Sequence, residues 1–349
     1  MPKTYMNNSG KGADAMEQHY FLTTNGSKQK TSYLKKALAA YRDVILLSGY
    51  PRKTAAKLIH EYYTIAKQNR MDIEILHNCL DNGFEGILLP ELGTGLVNLP
   101  IYEERFDVSA LFKNDFSNRF GQEMQKAYEN FEAAKRIHDD WEKIYIDATD
   151  YETLNLFTEE TIQKLIPSAK TGDVGKAKDR FFGAATINGS FDYINSLSEG
   201  CKRYFIKGRP GSGKSTFLKK IVQAVVDSGY TVERYHCSFD PDSLDMVIIR
   251  ALQLCLFDST SPHEYFPTQS DDEILDLYAL AVRPGTDEAN ADALQSFAER
   301  YKSNIESAVK HMITANELCI RYEEELQKQL SDDKIMEVRK AIMARIFPA

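Results

Sequence analysis

Three glycines, a lysine and two serine hydroxyls are concentrated in Gly208-Arg209-Pro210-Gly211-Ser212-Gly213-Lys214-Ser215, with Thr216 directly after. Glycines at 208, 211 and 213 permit a tight turn that aims successive backbone N–H groups at one point, which suits phosphate oxygens. A helix starting near Lys214 would turn its positive end toward the same point. Lys214 would reach the outer phosphates of a nucleoside triphosphate, and the Ser215 hydroxyl would coordinate Mg²⁺. The spacing G-x-x-x-x-G-K-[ST] occurs once in the chain and reads as a P-loop.

A metal held this way needs a further carboxylate. Leu254-Cys-Leu-Phe-Asp258 is an apolar run ending in Asp, the Walker B pattern of a buried strand that delivers a carboxylate at its end. Ser259 follows, so the Glu that activates water in many motor ATPases is absent from that position. Glu264 and His263, in the loop beyond, are the nearest substitutes. Asp240, in Asp240-Pro-Asp242-Ser-Leu-Asp245, has two readings: a carboxylate that orients a phosphoryl acceptor, or a helix cap. Asp242 reads more simply as a cap. His236-Cys237 offers two metal ligands and no third in motif spacing. The catalytic candidates are therefore Lys214, Asp258, Asp240 and Glu264. No N/T-K-x-D guanine motif is found; the nearest string, Phe112-Lys-Asn-Asp115, lacks the leading residue. ATP is the default nucleotide.

The elements required to place these groups are legible. Tyr204-Phe-Ile before the loop predicts a buried parallel strand, and Phe217, Leu218, Ile221, Val222 and Val225 after it follow a helical period. The same order recurs upstream, where Ile45-Leu-Leu-Ser-Gly49-Tyr-Pro51 precedes a helical stretch and Ile73-Glu74-Ile-Leu-His77. Gly49, Pro51, Glu74, His77 and Asp81 fall without a gap on Gly208, Pro210, Glu233, His236 and Asp240. One residue out of step, Ile87-Leu-Leu and Leu96-Val-Asn98 fall on Val247-Ile-Ile and Leu256-Phe-Asp258. The pattern predicts a duplication.

Each half continues into a long helix. Phe120, Met124, Ala127, Phe131, Ala134, His138, Trp141 and Tyr145 form one seam, and Ala308, Met312, Ala315, Cys319, Tyr322 and Leu326 another. The simplest expectation is that each helix buries its stripe on its own domain. Pro167-Ser-Ala-Lys-Thr-Gly172-Asp-Val-Gly175 has linker composition. The expected organisation is a polar segment over 1–18, a degenerate P-loop-like half over 19–166, a linker over 167–177 and an active half over 178–349.

With 349 residues the chain suits two domains, and its net charge of −8 argues against a dedicated nucleic-acid binder. The five cysteines are scattered with no C-x-x-C pair, so reduced thiols and a cytoplasmic location are expected. No apolar run approaches a membrane span.

Around Tyr204–Thr216, His236-Cys237, Asp240–Asp245 and Phe257–Glu264 the chain resembles a poorly characterised bacterial family of tandem P-loop proteins. The likeness covers about residues 180–325 closely and the first half loosely. It implies ATP binding and a duplicated P-loop fold, and little about substrate. The first half departs from a full tandem site: Arg52, Lys53, Thr54, Ala55 and Ala56 stand where the second half has Gly211, Ser212, Gly213, Lys214 and Ser215.

These readings combine into an α/β expectation: two P-loop-like βα units, each with a small sheet and a long helical extension. The leading function is Mg-ATP binding with hydrolysis at one site, in the second half. Rival readings are a kinase for a small metabolite or nucleotide, and a scaffold that senses nucleotide without turnover. The expected partners are the nucleotide and a small molecule or protein of unspecified identity.

Overall fold

The computed structural model describes residues 15–99, 115–167, 171–260 and 264–347. The first part of the chain forms β1 (Glu17–Tyr20), a hairpin of β2 (Thr23–Gly26) and β3 (Gln29–Ser32), α1 (Leu34–Leu38), β4 (Asp43–Ser48), α2 (Arg52–Gln68), β5 (Ile73–His77), β6 (Phe84–Leu89) and β7 (Thr94–Leu99). Two helices follow, α3 (Asp115–Ile146) and α4 (Tyr151–Leu165). The chain then runs through β8 (Lys176–Arg180), the hairpin β9 (Gly183–Thr186) and β10 (Gly189–Asp192), α5 (Ile194–Leu197), β11 (Lys202–Lys207), α6 (Lys214–Asp227), β12 (Thr231–His236), β13 (Leu244–Ile249) and β14 (Leu254–Asp258). It ends with β15 (Glu273–Asp276), α7 (Leu277–Ala281), α8 (Thr286–Ala289), α9 (Ala291–Gln327) and α10 (Asp332–Ile346).

This is an α/β architecture with mixed sheets. The first sheet has the order β1-β5-β6-β7-β4, and the second β15-β11-β14-β13-β12-β8. Apart from the added edge strand β15, the two orders correspond strand for strand. In both, the hairpin to the third strand is antiparallel and carries an irregularity at the same place, Leu76/His77 and Tyr235/His236. At five and six strands the sheets are of ordinary size, larger than the sequence suggested. Strand β1 begins inside the segment expected to be polar and separate, 1–18, and β8 begins inside the expected linker.

The central strands are apolar on both faces because both are covered. One face of the second sheet, with Tyr204, Ile206, Val247 and Leu256, packs on α6. The other, with Phe205, Met246, Ile248 and Phe257, shares a core with Leu76, Leu88 and Val97 of the first sheet. The sheets thus present facing sides to one common core, and α2 covers the outer side of the first.

The helical extensions do not stay with their own halves, contrary to the expectation. Leu154 and Phe157 of α4 pack with Phe217 of α6 in the second half. Ile342 and Ile346 of α10 pack with Leu58, Ile59 and Tyr62 of α2 in the first. Between them α3 and α9 bury their seams on each other, through Met124, Ala127, Phe131, Ala308, Met312 and Ala315. The small hairpins are exchanged too. Ser27 donates its N–H to the Phe239 carbonyl at 2.9 Å, and Ile187 donates to Leu80 at 2.9 Å. At the centre, Phe21 and Phe181 exchange both backbone hydrogen bonds, each 2.9 Å.

Candidate functional site

Strand β11 pairs in parallel with β14 and β15, which places the C-terminal ends of all three at one edge. The chain leaves that edge through Gly208–Gly213 and enters α6 at Lys214. Gly211 and Gly213 have φ of +81° and +89°, conformations that side chains resist. Both are also crowded by the arms of the other half. A Cβ on Gly211 would collide with the Glu142 carbonyl oxygen and lie 3.0 Å from its Cα. One on Gly213 would come within 2.5 Å of the Leu154 side chain.

The Lys214 ammonium donates to the Arg209 carbonyl at 2.8 Å and lies 3.5 Å from the Asp258 carboxylate. Ser212 Oγ also donates to the Arg209 carbonyl, at 2.8 Å, which closes the bend. Ser215 Oγ accepts from the Leu244 N–H at 2.9 Å and so ties the first turn of α6 to β13. Lys214 and Asp258 are therefore brought together, while the Ser215 hydroxyl is turned to β13. Arg209 reaches outward to Asp287 at 2.7 Å, and Thr216 is exposed. Pro210 lies on the half-buried side of the bend.

Glu264 stands apart from this group. Its half-exposed carboxylate lies 3.6 Å from Lys207, which itself donates to the Ser259 and Tyr265 carbonyls. His263 lies outside the described residues. Asp240 is 3.4 Å from the Lys135 ammonium of α3. The reading of Asp240-Pro-Asp242-Ser as a helix cap is corrected: the segment turns into β13, and no helix follows. Asp242 instead pairs with Lys28 on the β2–β3 hairpin of the first half. His236 uses both ring nitrogens internally, with Asp179 at 3.0 Å and the Pro241 carbonyl at 2.8 Å. It therefore serves as a structural strut, and the adjacent Cys237 gains no metal partner from it.

The residues that sequence reasoning missed lie on α3. Lys135, His138, Asp139 and Glu142 face the glycine loop and Asp240. Lys135 pairs with both Asp139 and Asp240, so an ammonium already occupies the cation position between those carboxylates. His138, Asp139 and Glu142 each place one ligand atom within 4.8 Å of the others. Burial, reinforced by Lys135, drops His138 to about 4 and leaves it neutral near pH 7. Burial likewise raises Glu142 above the usual carboxylate range; Lys135 opposes this, whereas Asp139 and Asp240 reinforce it. The one available signal was a His and a Glu four residues apart in and beside an otherwise apolar seam.

The corresponding place in the first half is filled. Helix α2 begins at Arg52, directly after Gly49-Tyr50-Pro51, so the loop spans three residues where the second half uses six. The Arg52 guanidinium donates to Glu323 at 2.8 Å, Asn316 at 2.9 Å and Asp81 at 2.5 Å. Asn98, which occupies the strand position of Asp258, is buried at 2% exposure.

A cavity of about 730 Å³ opens at the opposite edge of the sheets, near Gln18, Glu74, Glu233 and Arg250. Its buried charges are already matched. Arg180 donates to Glu74 at 2.5 Å and Arg250 to Glu233 at 3.0 Å, so the chemistry concentrates at the glycine loop. No helix among the described residues is long and apolar enough to cross a membrane. No protein-family model, curated protein or solved structure is found to match the chain.

Proposed function

We propose that this chain is a P-loop nucleoside triphosphatase that binds Mg-ATP at one site in its second half. The observation that carries the reading is the approach of Lys214 to Asp258, 3.5 Å apart, beside a glycine bend at a strand-to-helix junction whose helix carries Ser215 in its first turn. The residues fit the ligand: a Cβ at Gly208 would run into Ser212 Oγ and the Lys214 stem inside the bend, and the first turn of α6 offers its N–H groups there. Lys214 and the loop N–H groups hold phosphate oxygens in this reading, while Ser215 and Asp258 hold Mg²⁺. The metal, when bound, neutralises charge on the outer phosphates.

The halves derive, in this proposal, from duplication of one unit. The shared strand order, the matching hairpin irregularities and the exchanged arms support that descent. The first copy has lost its site, consistent with a shortened loop and with Arg52 and Glu323 where a ligand would lie. The kinase reading, with Asp240 near an acceptor, is weakened because Lys135 holds that carboxylate.

The decisive experiment is titration of the intact protein with ATP and Mg²⁺, followed by product analysis. Tight binding with release of inorganic phosphate supports the triphosphatase. Label transfer to a metabolite would favour a kinase, and binding without turnover a nucleotide-sensing scaffold. Absence of binding would refute the site.

A further inference from the structure

We propose that Glu142, carried on the arm of the opposite half, is the general base that activates water at the Gly208–Ser215 loop; this rests on the nucleotide reading above. The position after Asp258 is Ser259, whose hydroxyl is engaged with the Tyr265 carbonyl at 2.8 Å and which brings no carboxylate. The base must come from elsewhere. Of the carboxylates near the loop, Asp258 lies 3.5 Å from Lys214, Glu264 lies 3.6 Å from Lys207, and Asp139 and Asp240 share Lys135. Asp287 pairs with Arg209, and Asp276, at the end of β15, caps α7, whereas Glu142 has no lysine or arginine at ion-pair distance among the described residues. Its nearest charged-type neighbour is His138, with Nδ1 3.7 Å from Oε1.

Position reinforces the assignment. The Glu142 backbone presses against Gly211, so the side chain is anchored beside the bend and not on a mobile loop. The first half repeats the arrangement. There Glu323 of α9 accepts from the backbone N–H of Arg52, the residue at the place of Gly211, at 3.1 Å. The arm helix thus delivers a carboxylate to the start of the partner half's helix in both copies. In the first half that carboxylate is bonded to the helix start; in the second the loop is three residues longer and Glu142 makes no such bond.

A carboxylate that is partly buried and repelled by other carboxylates is a stronger base than a solvated one. The groups facing Glu142 are Lys135, His138 and Asp139 on its own helix, Asp240 after β12, Lys214 on α6 and Tyr151 on α4. His138 is neutral and cannot cancel its charge. In the step assigned here, Glu142 takes a proton from water as the water oxygen bonds to the γ-phosphorus. The bond from that phosphorus to the bridging oxygen breaks, and its electron pair leaves with ADP. Glu142 then returns the proton to solvent.

The test uses full-length Glu142→Gln, which keeps the volume and removes the basicity. Turnover should fall by roughly 10²–10⁴-fold. Loss of one negative charge near the outer phosphate should also tighten Mg-ATP binding about tenfold while leaving ADP binding unchanged, a readout independent of turnover. Glu142→Asp should recover part of the lost rate. Turnover of Glu142→Gln within about threefold of wild type would overturn the assignment, as would a comparable loss in Glu264→Gln alone. Wild-type protein that binds ATP without hydrolysing it would overturn the base and leave the nucleotide site standing. Wild-type protein that binds no ATP would overturn both.

Discussion

The Glu323 carboxylate accepts from the Arg52 backbone N–H at 3.1 Å and from its Nε at 2.8 Å. One acidic side chain therefore satisfies both the start of α2 and the guanidinium that stands there, the two features that would otherwise attract an anion. This internal occupant fixes the stoichiometry. Titration should give about one ATP per chain. Arg52→Ala should destabilise the fold by about 2–4 kcal/mol in urea unfolding, because Glu323 and Asp81 lose their partner in a mostly buried setting. A second tight ATP site in the wild type would show that the plug is not closed.

Lys214→Ala should abolish tight Mg-ATP binding and leave the unfolding midpoint within about 1 kcal/mol of wild type. The ammonium is held by one carbonyl and one carboxylate, and the apolar core beneath α6 rests on Phe217, Leu218 and Ile221 instead. Calorimetric titration of the folded variant decides this. Retained wild-type affinity would remove the nucleotide reading.

Asp258→Asn should reduce turnover by at least about tenfold while changing ATP affinity much less. The amide keeps the shape at the end of β14 and keeps an acceptor for Thr260, which donates to Asp258 at 2.6 Å. It loses the charge proposed to organise the metal. Phosphate release measured against Mg²⁺ concentration should reach half-maximum at a higher Mg²⁺ concentration than in the wild type, and an unchanged rate and Mg²⁺ dependence would reassign the metal carboxylate.

Acid stability should decline in two stages. Burial lowers His77 to about 4, so between the ordinary 6.5 and that value the unfolded chain binds the extra proton and stability falls as pH falls. Burial alone would raise Glu233, but Arg180 and Arg250 outweigh it and bring the group to about 2. Its contribution is complete above the ordinary 4.5 and is lost as pH drops from there toward 2. Urea midpoints across pH 7 to 3 should record both stages, and Glu233→Gln should flatten the lower one. A profile level across that range would contradict the assignment.

The glycine loop, the strand ending at Asp258 and the helix after Lys214 were legible because each rests on local spacing and local residue types. The correspondence of Glu74 and His77 with Glu233 and His236 foretold equivalent strand positions, and that of Asp81 with Asp240 equivalent turns, for the same reason. The arm exchange was not legible. A seam such as Met124-Ala127-Phe131 tells that a helix has one apolar stripe and is silent on which half it covers. Glu142 was missed on that account, since it is distant in sequence from the glycine loop and Asp240. Strand β8, Lys176-Ala-Lys-Asp-Arg180, escaped notice because it carries charge at most positions: it is an edge strand whose arginine and aspartate are consumed in buried pairs. Asp240-Pro-Asp242-Ser read as a cap because turn and cap draw on the same residues.

Ile342 and Ile346 share a buried cluster with Leu58, Ile59 and Tyr62, and Arg345 bonds Asp43 across 302 residues of chain. Synthesis from the N-terminus therefore leaves the outer face of α2 without its cover until α10 has been made. The first half emerges with an apolar helix face exposed, and its completion waits on loop closure over the 302 residues that separate Asp43 from Arg345. Contacts of such long range make folding slow, with the interval before α10 docks as the period of greatest exposure to aggregation or chaperone capture.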